Sequence, residues 1–198
     1  MITKLKVIVS LFLCLFSGAL FSSESQNRHI AGVELPLQVV VSADNKPLLL
    51  NGAGIRYKFF FKIYVGALYL TDKQSSAETI LKSDKANRVL MHFLYDEVEK
   101  KKLADAWVEG FEENVDGKIF SALQDRLKQF NAMFSDMHKG DVVLLDYIPQ
   151  KGTRVMIKGD VKGTIEGADF NRALLSVWLG AEPVTEDLKD AMLGIEDD

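Results

Sequence analysis

The sequence predicts an α+β fold, a mainly antiparallel sheet with helices packed on one face. Three observations carry that expectation. Strand-like apolar runs fill residues 29–72 and recur at 87–95. Two amphipathic helical stretches follow, then three more strand-like runs and two closing helices. Strands, helices, strands and helices in that order describe segregated layers rather than alternating βα units.

The first block, "HIAGVELPLQVVVSADNKPLLLNGAGIRYKFFFKIYVGALYLTD", reads as strands separated by turns. "SADNK" (Ser42 to Lys46) and "NGAG" (Asn51 to Gly54) carry the turn residues. Ile63, Val65, Ala67 and Tyr69 alternate with Tyr64, Gly66, Leu68 and Leu70. Both sets are apolar or aromatic, so this strand is expected to be covered on both faces. Ser75 or Ser76 caps a short helix through "SAETILK", and "NRVLMHFLY" is a further strand.

In "EVEKKKLADAWVEGFEENV", Leu103, Trp107 and Phe111 form one apolar stripe, widened by Ala104 and Val108. In "GKIFSALQDRLKQFNAMF", Phe120, Leu123, Leu127, Phe130 and Phe134 do the same. "GDVVLLDYIP", "TRVMIKG" and "VKGTIEG" are strands, with Gly-bearing turns at 151–152 and 159–163. "ADFNRALLSVWLG" and "TEDLKDAML" are the last helices, the second with Thr185 as its N-cap.

The N-terminus differs from the rest. Lys4 and Lys6 precede "VIVSLFLCLFSGALF" and a polar "SSESQN", the pattern of a secretory signal peptide over residues 1–23. Ser17 and Ala19 suit cleavage after Ala19, and Ser22 or Ser23 is a second possible boundary. The expected location is therefore outside the cytoplasm, in the periplasm, with one domain over residues 27–195. The single cysteine, Cys14, falls in the leader, so disulfides, thiol nucleophiles and thiolate metal sites are not expected in the mature chain. Removing residues 1–23 takes away two lysines and no acidic residue, moving the formal charge from −4 to −6. An acidic exported domain is a poor candidate for nucleic-acid binding.

Several chemistries lack their residues. "NGAGIR" does not have the Walker spacing, and no G-x-S-x-G elbow occurs. His29, His92 and His138 fall at unrelated spacings, so neither a metal nor a cofactor is expected. Arg56 stands out because it precedes an almost wholly apolar stretch, where an unpaired charge costs several kcal/mol. Its spacing alone fits two readings: a guanidinium that reaches water or a carboxylate, or one that holds an anion. Strand alternation places Arg56 and Tyr64 on the same face if the strand is unbroken.

At these residues the sequence resembles the chalcone isomerase-like family. "NGAGIRYKFFFKIYVGALYL" is similar to that family's glycine turn, arginine and "F-x-K-x-Y-x-x-G-x-Y-L" strand. "GDVVLLDYIPQKGTRVMIKGDVKGTIEG" resembles its run of hairpin strands, and "FNRALLSVWLGAEPVTEDLK" its closing segment. The resemblance implies an open-faced β-sandwich with a ligand cleft between the large antiparallel sheet and its helices.

The resemblance also bears on function. In the family's plant enzymes an arginine holds the reacting oxygen during an intramolecular ring closure, aided by a threonine, a tyrosine and an asparagine. Arg56 matches the arginine, but Tyr64 falls at the threonine. Tyr95 and Asn114 are not placed as the helical pair, and Lys100 and Trp107 fall near those positions. Non-catalytic relatives bind fatty acids through an arginine and a tyrosine. The resemblance thus implies a binder of a small amphipathic carboxylic acid held by Arg56 and Tyr64. Phe59 to Phe61, Trp107, Phe111 and Trp178 are candidates to line its cleft. An intramolecular lyase acting on a phenolic enone through Arg56, and a scaffold that meets a protein partner, stay open beside it.

Overall fold

The computed structural model describes residues 27–42 and 46–195. The expected signal peptide, with Cys14, and part of the turn expected at 42–46 lie outside the described residues. The chain begins with a short hairpin, β1 (Asn27–Ile30) and β2 (Val33–Pro36). A seven-stranded antiparallel sheet follows, built from β3 (Gln38–Val39), β4 (Leu48–Lys58), β5 (Phe61–Leu70), β6 (Asn87–Phe93), β9 (Val142–Ile148), β10 (Gly152–Ile157) and β11 (Asp160–Ile165). Its spatial order is β11-β10-β9-β6-β5-β4-β3. Sequence neighbours pair throughout except at β6–β9, which the helical segment interrupts.

That segment contains β7 (Glu97–Val98), α2 (Lys100–Asn114), α3 (Gly117–Ala132) and β8 (Met137–His138), with β7 and β8 paired across its base. The short α1 (Ala77–Lys82) joins β5 to β6, and Ser76 caps it by accepting from the Thr79 amide. α4 (Ala168–Leu179) and α5 (Glu186–Leu193) close the chain. The helices cover one face of the sheet, as the order of elements predicts. Tyr64, Leu68, Val89, Met91, Val143 and Leu145 bury against Trp107, Phe130, Phe170 and Trp178 on that face. Val65, Ala67 and Tyr69 point the other way, into a smaller core with Val33 and Leu35 of the N-terminal hairpin. Both sides of β5 are therefore covered, which explains why neither of its alternating sets is polar.

Three expectations change. "NGAG" is not a turn but the middle of β4, with a register shift between Leu50 and Gly52. Its glycines serve close approach: a Cβ on Gly52 would lie 2.1 Å from the Ala191 carbonyl oxygen, and one on Gly54 would lie 2.6 Å from the Ala191 Cβ. Helix α5 thus lies directly on the backbone of β4. Buried Asn51 fastens it there, donating to the carbonyls of Met192 (2.8 Å) and Gln74 (2.9 Å). Gly163 sits inside β11, while the turn before that strand is the two-residue Lys158–Gly159, both with positive φ. Thr185 takes the N-cap position of α5, but its side chain makes no capping bond.

Candidate functional site

The site begins with the β4–β5 hairpin. Its register sets Arg56 directly opposite Tyr64, and Tyr64 in turn opposite Phe93 on β6. Arg56 and Tyr64 share a face as expected, but for a different reason. The strand is broken: it turns at Phe59–Phe60, and the two residues are cross-strand partners rather than alternate residues of one strand. A second register shift, between Arg56 and Tyr57, accompanies the change of direction.

Beside this pair a cleft of about 320 Å³ opens between the end of the sheet and the helix layer. Ile63, Met91 and Phe93 form its sheet wall, and Leu103, Trp107 and Val177 its helix wall. Exposed Lys58, Phe59, Phe61, Tyr95, Glu97 and Lys102 surround the mouth. α2 supplies its share because Leu103 and Trp107 lie one helical turn apart on its buried stripe. Of the aromatics expected to line a cleft, Phe59, Phe61 and Trp107 do so. Phe60 is 80% exposed and outside the lining, while Phe111 and Trp178 are fully buried in the core.

Arg56 is half-buried, and its guanidinium carbon lies 5.8 Å from the centre of the Tyr64 ring, within cation–π range. Among the described residues, arginine ion pairs form at Arg88, Arg126 and Arg154 and none at Arg56. The Tyr64 hydroxyl accepts a hydrogen bond from Trp178 Nε1 at 2.9 Å, and among the described residues its own proton has no acceptor. Burial raises the pKa of this phenol, opposed by the Arg56 charge and the Trp178 bond. Tyr64 therefore stays a neutral donor at ordinary pH. The Trp107 indole N–H is buried without a partner.

The apolar cleft thus has a guanidinium beside it, a phenol and an indole among its lining residues, and one carboxylate, Glu97. Such a set suits an anionic head with an apolar body. Among the described residues no three metal-ligating side chains gather. Asn114 is occupied structurally: its amide donates to the carbonyls of Gly110 (3.0 Å) and Glu182 (2.7 Å) and accepts from the Glu182 amide (2.9 Å). Lys100 lies outside the cleft lining, whereas Tyr95 and Lys102 belong to its mouth. Sequence reasoning missed Lys58, Glu97 and Lys102. Lys58 lies only two residues beyond Arg56 on the same strand, but the register shift between Arg56 and Tyr57 breaks the alternation that would have placed it.

Comparison with known proteins agrees with this architecture. A family model described as chalcone isomerase-like matches residues 27–194. Among solved structures, the crystal structure of a fatty-acid binding protein from Arabidopsis thaliana superposes with a TM-score of 0.67 at 14% identity. The match covers 85% of this chain and 96% of that one, and shows a shared fold. No curated protein matches in sequence. With the family match spanning the sheet, the helix layer and the cleft, the chain belongs to the chalcone isomerase-like family.

Proposed function

We propose that the protein is an exported, non-catalytic binder of a small amphipathic carboxylic acid, such as a fatty acid. Arg56 and Tyr64 hold the carboxylate, and the apolar cleft takes the tail. One observation carries the reading: the half-buried Arg56 guanidinium has no ion-pair partner among the described residues and stands over Tyr64 at an apolar cleft. The shared fold with a fatty-acid binding protein supports it. The cleft volume lies near the lower end of the roughly 300–1,000 Å³ typical of ligand pockets, which favours a medium-length tail. Ring closure finds little support, since Tyr64 fills the threonine's place and the Asn114 amide is committed to Gly110 and Glu182. The basic-then-apolar leader supports export to the periplasm.

Isothermal calorimetry with decanoate tests the binding. Arg56→Ala is expected to weaken it by about 10–100-fold, the worth of charge-assisted hydrogen bonds to a carboxylate. The same change should leave folding stability within about 1 kcal/mol of wild type. No heat of binding by the wild-type protein, or equal affinity in the variant, would overturn the proposal.

A further inference from the structure

The hairpin that carries Arg56 ends in "KFFFK", Lys58 to Lys62. Phe59 is 87% exposed and Phe60 80%, although a lone exposed phenylalanine would need no explanation and adjacent ones do. Phe59 also adopts φ of 57°, a conformation uncommon for a bulky residue, in a turn that contains no glycine or asparagine. Phe61 is held back by edge-on contact with Tyr95, with ring centres 5.4 Å apart. The tip is flanked by Lys58 and Lys62, and among the described residues the lysine ion pairs involve other lysines. This cationic collar stands on a chain whose formal charge is −4, so it is not a by-product of a basic composition.

We propose that the β4–β5 tip is a docking surface for an anionic lipid bilayer. Phe59 and Phe60 enter the boundary between headgroups and acyl chains, while Lys58 and Lys62 meet anionic headgroups. Apolar rings beside lysines are the combination that holds peripheral segments at such a boundary. Charge decides between a lipid surface and an apolar protein groove, because paired lysines beside the rings match a plane of phosphates. Phe59 and Phe61 also line the cleft, so docking would bring its mouth to the lipid. The docking itself does not depend on what the cleft binds.

Vesicle flotation of the full chain tests this directly. Vesicles of equal phosphatidylcholine and phosphatidylglycerol are compared with vesicles of phosphatidylcholine alone. Wild-type partitioning should be several-fold higher on the anionic vesicles and should fall as salt rises. Phe60→Ser should reduce it about tenfold, and Lys62→Glu about fivefold or more. All variants keep the same N-terminal apolar segment, so a difference between them belongs to the hairpin. Phe60 lies outside the cleft lining, so Phe60→Ser should bind decanoate like wild type. The two proposals can therefore fail separately. Equal flotation of wild type and Phe60→Ser would overturn the docking surface. So would a concentration-dependent wild-type dimer in sedimentation, dissolved by Phe60→Ser, with no vesicle binding; that outcome assigns the tip to a second copy of the chain.

Discussion

Two rows of residues cross the sheet, one on each face, and each contains arginine in a different condition. On the hairpin-covered face the register aligns Tyr69, Arg88, Asp146 and Arg154 across four adjacent strands. Asp146 is fully buried and holds both arginines: Arg88 donates from Nε (2.5 Å) and an Nη (2.9 Å), and Arg154 donates at 2.6 Å. On the helix-covered face the row runs Arg56, Tyr64, Phe93. Here the position opposite the guanidinium is an aromatic ring. Cross-strand register, not local composition, decides which arginine meets a carboxylate and which meets an aromatic ring.

The largest test of that contrast is Asp146→Ala. Removing the shared carboxylate leaves two guanidinium groups without their counter-charge, and the expected loss of stability is about 3–5 kcal/mol. The urea midpoint should fall sharply, while for Arg56→Ala it stays near wild type. Equal costs for the two variants would erase the distinction between a row with a paired arginine and a row whose arginine has no carboxylate partner.

The same contrast explains what was legible in the sequence. The layer order could be read from hydrophobic periodicity, because Leu103, Trp107 and Phe111 of α2, Leu123, Leu127 and Phe130 of α3 and both sides of β5 are buried as their pattern predicts. Val108, expected to widen the α2 stripe, is instead exposed, and Phe120 is only partly buried. Arg56 could be flagged because charge beside apolar sequence is locally visible. Asp146 could not, since its partner Arg88 lies 58 residues away and only the β6–β9 pairing joins them. "NGAG" misled because glycine marks two different needs, positive φ and close approach. Neither Gly52 nor Gly54 has positive φ, and the helix that requires them is formed by residues 186–193. The tip misled for the opposite reason. "YKFFFK" contains no turn residue, and an exposed aromatic run has the same hydrophobicity as a buried strand.

A smaller effect should follow from Tyr64→Phe, which probes the aromatic partner in the Arg56 row. The ring and its contact with Phe93, 5.8 Å between centres, survive. The acceptor for Trp178 Nε1 does not, and the fully buried indole loses its hydrogen bond. A cost of about 1–3 kcal/mol is expected by chemical denaturation. Calorimetry should show weaker decanoate binding than wild type but stronger than Arg56→Ala, because a phenol contributes a neutral hydrogen bond and the guanidinium a charged one. A variant as stable as wild type would mean that water replaces the hydroxyl, and that Tyr64 is less enclosed than its burial implies.

The smallest effect separates pairing from burial. Arg126 on α3 is paired like Arg88 but sits near the surface, donating to both carboxylate oxygens of Asp169 at 2.8 and 2.6 Å. The side chains remain 29% and 53% exposed. The bonds from Arg126 hold the Asp169 carboxyl below its ordinary pKa, against a smaller opposing effect of burial. A lowered folded-state pKa means that the stabilisation is present above the unfolded value near 3.9 and is lost as pH falls through the lower folded value. Asp169→Asn should therefore cost about 0.5–1 kcal/mol at neutral pH, with wild type and variant converging in acid. Added salt should shrink the neutral-pH difference, because solvent reaches this pair. If Asp169→Asn cost as much as Asp146→Ala, ion pairing alone would govern these arginines and burial would count for nothing. The expected gap, from about 4 kcal/mol to below 1, instead makes desolvation the quantity that separates the buried pair from the surface pair.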